Sequence, residues 1–187
     1  MVSAWRALAW LSFPMLLVAQ DQAGLQPDWD MSAVLGEISA HATRLMPTLD
    51  KVNPRAWVAK GASETYAAQL QSSKDQARGI IKDADALRRN PEKLSQCLQL
   101  FFRIDGMEQM INSLVDGIRK YQDPVLATEL ASQSAENGRN RNRFQAYIVS
   151  LALQREQECA VMDQEAQRCR SIVATQPPAR PANGRKK

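Results

Sequence analysis

Apolar residues along this chain recur at intervals of three and four rather than two, the period of helices that bury one face and wet the other. The first stripe runs through Met31, Val34, Leu35, Ile38, Ala42, Leu45, Met46 and Leu49. Asp28 or Asp30 precedes it and supplies an oxygen that accepts a backbone N–H of the first turn. "DKVNPRAW" then breaks the stripe. Pro54 suits the first position of a second helix, where no N–H is needed and proline's φ is already helical. Trp57, Tyr66, Leu70, Ala77, Ile81, Ala84 and Leu87 make that helix one long element, with Gly61 and Gly79 as weak points. Asn90-Pro91 ends it, because a residue before proline is pushed out of the helical region. The second and third helices therefore read as a tight antiparallel hairpin.

The third helix carries the widest stripe: Leu94, Cys97, Leu98, Phe101, Ile104, Met107, Met110, Ile111, Leu114, Val115 and Ile118. That width marks a central helix touched on more than one side. "YQDP" closes it, and a fourth, shorter segment follows with Val125, Leu126 and Leu130. Asn137 and Gly138 break the chain again. Phe144 restarts a stripe through Tyr147, Ile148, Leu151, Cys159, Met162, Ala166, Cys169 and Val173. An unbroken helix from Pro124 to Val173 would be about 75 Å long at 1.5 Å per residue and would overrun its neighbours. A break at 137–139 makes the last helix about as long as the second and third, although the stripe can be drawn through that break without a phase error. The fold class is all-α: an antiparallel helical bundle of about five helices, three long and two shorter, over residues 28–173. Its size suits one domain with a proper core.

The two ends differ in kind from this body. "ALAWLSFPMLLVA" at 7–19 follows a single positive charge at Arg6 and is shorter than the roughly 20 apolar residues of a spanning helix. Residues 1–19 are read as a signal peptide cut before Gln20, with 20–27 a short leader; retention of the segment as an anchor is the alternative. Residues 174–187 carry three prolines and four basic side chains without an acid, the composition of a disordered tail. The whole chain has 24 Lys and Arg against 20 Asp and Glu. Arg6 and the four basic residues of the tail account for more than that excess, leaving 19 against 20, so the body is near neutral and the basic pI does not argue for a nucleic-acid partner. The tail instead suits loose attraction to an anionic envelope surface. Export, to a periplasm or beyond the cell, is the expected localisation.

Export also frames the three cysteines, because oxidising compartments close disulfides. Cys159 and Cys169 on one helix stand roughly 15 Å apart, beyond the span of a disulfide. If the last helix returns along the third from a shared end near Tyr121 and Asn140, Cys97 falls level with residue 164, between the two. Cys97 with Cys159 is the expected pair, worth up to about 4 kcal/mol through the loop it closes. Cys169, between Arg168 and Arg170, is then a free thiol, one that can also join two chains. Three reduced cysteines serving as small apolar residues are the competing reading.

The remaining chemistry is sparse. One histidine, His41, cannot supply the two Glu-x-x-His motifs of a di-iron bundle, and no short Cys or His spacing suits zinc. No metal or cofactor is expected. Glu156 with Glu158 and Asp163 with Glu165 stand two apart, which on a helix turns them away from a common substrate. No catalytic residue is assigned. Arg139, Arg141 and Arg143, alternating with asparagines, form a candidate anion contact at a helix start. The expected role is a non-enzymatic structural or interaction module at the cell envelope with a protein or envelope partner. The alternative is a ligand-binding protein or hydrolase working from a cleft near His41.

Overall fold

The computed structural model describes residues 30–175, and the expected signal peptide, the leader and all but the first residues of the basic tail lie outside them. Within that range the chain is helical throughout, with no strand among the described residues: α1 (Met31–Asp50), α2 (Arg55–Val58), α3 (Thr65–Leu87), α4 (Leu94–Tyr121), α5 (Pro124–Ala135) and α6 (Gly138–Thr175). Asp30 caps α1, its carboxylate accepting the Ala33 N–H at 3.2 Å. Asp123 does the same for α5 by accepting from Val125 at 2.9 Å, with Pro124 behind it in the first turn. Each cap satisfies a donor that has no partner within its helix.

The second helix is not continuous. It stops after one turn at Val58, where Gly61 takes a φ of +85° and the chain closes a Schellman turn. The Gly61 N–H reaches the Val58 carbonyl at 3.0 Å and the Ala62 N–H reaches that of Trp57 at 3.1 Å. The short helix lets Trp57 leave the line of α3 and plug the end of the bundle at 1% exposure. There its ring meets Tyr66 edge-on at 5.4 Å and stacks on Tyr121 at 6.2 Å. Gln122 ties this plug together: its Oε1 accepts from Trp57 Nε1 at 3.1 Å and from the Asn53 N–H at 3.0 Å, while its Nε2 donates to the Lys51 carbonyl at 2.9 Å.

Side-chain ties show the order of packing. Lys74 reaches Asp50 at 2.7 Å between α3 and α1, and Arg103 reaches Asp83 at 3.0 Å between α4 and α3. Gln69 lies by Ser113 of the same pair, so numbers rise on one helix as they fall on the other. The core is drawn from α1, α3, α4, α5 and the first turns of α6, with Leu35, Leu45, Ile104, Ile111 and Leu114 fully buried. Val125, placed on the apolar side of the fourth segment by pattern, is 73% exposed, while Leu126 and Leu130 turn inward.

The interruption between Ala135 and Gly138 falls where the pattern put it but does not turn the chain back. Glu129 on α5 meets Lys51, His41 meets the Gln133 carbonyl, and further on Arg141 meets Asp105 and Arg155 meets Glu92. The chain thus keeps descending along α1 and α4 through both helices. This corrects two expectations. First, α6 starts beside Glu108 and Asn112 rather than at the end of α4, because α5 has already used the upper part of α4. Second, α6 is 38 residues, about 57 Å, against 23 for α3 and 28 for α4. Its second half therefore overruns the bundle.

Candidate functional site

In the second half of α6 an apolar sequence pattern continues where the fold gives it nothing to pack on. The first half is built into the bundle. The Asn137 carbonyl accepts the Arg141 N–H at 2.9 Å to begin the helix. Arg141 then fastens it to α4, with Nη2 2.6 Å from Asp105, Nε 3.4 Å from Glu108 and the guanidinium 5.3 Å from the centre of the Phe101 ring. Phe144, Ile148 and Leu151 follow as buried side chains. Arg155 makes the last tie, 3.5 Å from Glu92 in the turn just before α4. From Glu156 to Thr175 every residue is exposed.

The apolar stripe does not stop where the bundle does. Cys159, Met162, Ala166, Cys169 and Val173 continue the face of Ile148 and Leu151 at alternating steps of three and four. Met162 is 70% and Val173 69% exposed, with Val161 and Ile172 widening the strip on one side. At its base, Leu94 of α4 and Ala152, Arg155 and Cys159 of α6 line an open groove of about 450 Å³. Two ion pairs run along the helix, Arg155 with Glu158 at 2.6 Å and Arg168 with Glu165 at 2.8 Å, each adding only slightly to its helicity.

The other residues singled out by sequence are dispersed. Arg139 is exposed and Arg143 half-buried, while Arg141 is committed to two carboxylates. Burial raises the Glu108 carboxyl above its usual range, with Arg141 opposing that shift. His41 is 3% exposed and acts on the backbone: its Nε2–H donates to the Gln133 carbonyl at 2.7 Å, securing the last turn of α5 to α1. Its Nδ1 is buried without a protein partner, as are Gln133 Oε1 and Asn137 Oδ1 beside the interruption. Among the described residues no three His, Cys, Asp or Glu side chains gather as a metal-binding group, and no helix is long and apolar enough to cross a membrane.

The expected bridge between Cys97 and Cys159 is absent. All three cysteines are free, Cys97 buried and the other two exposed. The reason is register: Arg155, not residue 164, stands opposite the start of α4, so Cys159 has passed beyond the bundle while Cys97 looks into it. The Cys97 Sγ–H donates to the Pro91 carbonyl at 3.1 Å, and burial pushes its thiol up to about 11. Sequence reasoning missed the Trp57–Gln122 plug. Its only signals were an aromatic beside a helix break and a glutamine in "YQDP", neither specific.

In comparisons with family models, curated proteins and solved structures, nothing matches this chain.

Proposed function

We propose that this chain is an exported interaction module: an antiparallel helical bundle that carries a docking helix, the projecting half of α6, toward a partner at the cell envelope. The observation that supports it is the continuation of the apolar stripe over residues 159–173, with Met162 and Val173 each more than half exposed. An exposed, contiguous apolar face marks an interaction site more often than it marks idle surface. Knobs at steps of three and four are the form in which one helix meets another. The bundle keeps Arg155 and Arg141 fixed on α4, so the docking half is held out at a set direction. The basic tail, expected from sequence, would follow directly from its tip and add loose attraction to anionic envelope material.

The test is photo-cross-linking in the compartment where the chain resides, with the reactive amino acid placed at Met162 or Val173 on the stripe and at Gln157 or Ser171 on the opposite side. Adducts from the stripe positions alone support the reading. Equal yields from both sides, or none, remove the face from the account. The mass of the recovered chain reads export in the same experiment, since cleavage before Gln20 shortens it by a defined amount.

A further inference from the structure

We propose that the docking half of α6 is covered by a second copy of itself, running in the opposite direction, and that the two copies are tied by two symmetric disulfides between Cys159 and the partner's Cys169. This deepens the reading of α6 as a docking helix and rests on it.

Two observations converge on the same axis. Cys159 and Cys169, both exposed thiols on the stripe, have Gln164 midway between them. The stripe itself is a heptad pattern in which Cys159, Ala166 and Val173 are one set of seam positions and Arg155, Met162 and Cys169 the other. A two-fold axis at Gln164 exchanges these two sets, so each layer pairs one kind with the other. Met162 then faces the partner's Ala166, a large side chain against a small one, and Cys159 faces the partner's Cys169. Helices that pack about 8–10 Å apart, with Cα atoms about 2.3 Å from each axis, bring facing residues into the roughly 4.4–6.8 Å that a disulfide needs.

Length fits the same arrangement, and charge is divided. Centred on Gln164, the partner's Val173 reaches the level of Arg155, where it enters the groove beside Leu94 and stops short of the buried Leu151. The overlap therefore uses residues 155–173 of each copy without driving one bundle into the other. On one flank Glu156 stands beside the partner's Arg170, twice by symmetry. At the axis, Asp163 and Glu165 lie close to their own copies, which opposes association. A seam of about three heptads with that repulsion is marginal by itself, and the two bridges are what hold it. Each bridge forms by exchange with a small-molecule or protein disulfide: two thiols lose two protons and two electrons, one S–S bond forms, and the donor disulfide leaves as two thiols. Dimerisation is thus redox-dependent, as an exported chain would meet it.

The experiment uses the full chain, incubated reduced and then with oxidised glutathione, and read by non-reducing intact mass and peptide mapping. The expected product is a covalent dimer four hydrogens lighter than two chains, with Cys159 joined to the partner's Cys169 and Cys97 still alkylatable after unfolding. C159S and C169S each abolish the covalent dimer alone, and mixing the two variants restores a singly bridged one. Covalent dimers from either variant alone, joined through like cysteines, would show parallel pairing and overturn the proposal. A monomer under oxidation with stripe cross-links to another polypeptide overturns the second copy but leaves the docking helix standing. A monomer with no stripe cross-links removes both.

Discussion

Two glycines in α4 sit under opposite constraints, and a methyl group tells them apart. Nothing lies within 4 Å of where a Cβ on Gly106 would stand. Gly106→Ala should therefore stabilise the fold by about 0.5–1 kcal/mol, by lowering the entropy of the unfolded chain within a helix interior. At Gly117 the same Cβ would fall 2.8 Å from the Trp57 ring and 3.0 Å from that of Tyr66. Both rings are locked in the aromatic plug, so Gly117→Ala should cost about 1–3 kcal/mol. Thermal melts of the two variants should move apart by several degrees in opposite directions; a shared direction would mean that the plug is not closed on α4. His41 gives the pH counterpart. Desolvation lowers its pKa from the usual 6.5, the Gln133 carbonyl opposes that, Arg44 lowers it further and Glu136 raises it. The unfolded chain therefore takes up this proton at a higher pH than the folded one, and stability is lost as pH falls through about 6.5. His41→Gln should melt with a flatter dependence between pH 7 and 5, and parallel curves for the two proteins would exclude the histidine. Of these details the sequence showed Trp57 on a stripe and His41 on α1. It could not show that Gly117 is the seat of the tryptophan, because that pairing crosses two turns of chain.

Elements were more legible than their meetings. Caps, proline starts and stripe phase place α1, α4, α5 and the interruption before α6, since each is a local property of a few neighbouring residues. Gly61 was visible as a weak point, yet whether a glycine bends or breaks a helix depends on what gains from the turn. Here the gain is the burial of Trp57. The larger error was the register of α6, which rested on where two helices share an end. Because α5 lies along α4 before α6 begins, the docking half moves down by several turns and out of the bundle. A stop codon after Arg155 tests that placement. Among the described residues it removes exposed ion pairs and no buried side chain, so it should change stability by less than about 1 kcal/mol in reductant at low concentration. Leu151→Ala, one turn earlier and 4% exposed, should cost about 2–5 kcal/mol. A large loss of stability from the truncation would return residues 156–175 to the core.

At the scale of the molecule, the chain divides into a bundle that unfolds as a unit and a helix that need not unfold with it. The core residues Ile104, Ile111 and Leu114 on α4 are fully buried, as is Cys97 on the same helix, whereas none of residues 156–175 is covered. In reductant, thiol labelling and amide exchange should therefore report two free energies. Cys159 and Cys169 should react at once with a small alkylating reagent, and the amides of 156–175 should exchange with little protection, because a helix of that length without packing is marginal. Cys97 is held back both by burial and by a thiol pushed up to about 11, so it should label only through opening of the bundle. The free energy deduced from its rate should agree with that of the slowest amides near Ile111. Faster labelling of Cys97 than exchange at Ile111 would show that the start of α4 frays separately, and with it the Glu92 anchor that fixes the direction of α6. Agreement of the two, beside an unprotected 156–175, identifies a rigid body presenting a helix whose order is completed only when its apolar face is covered.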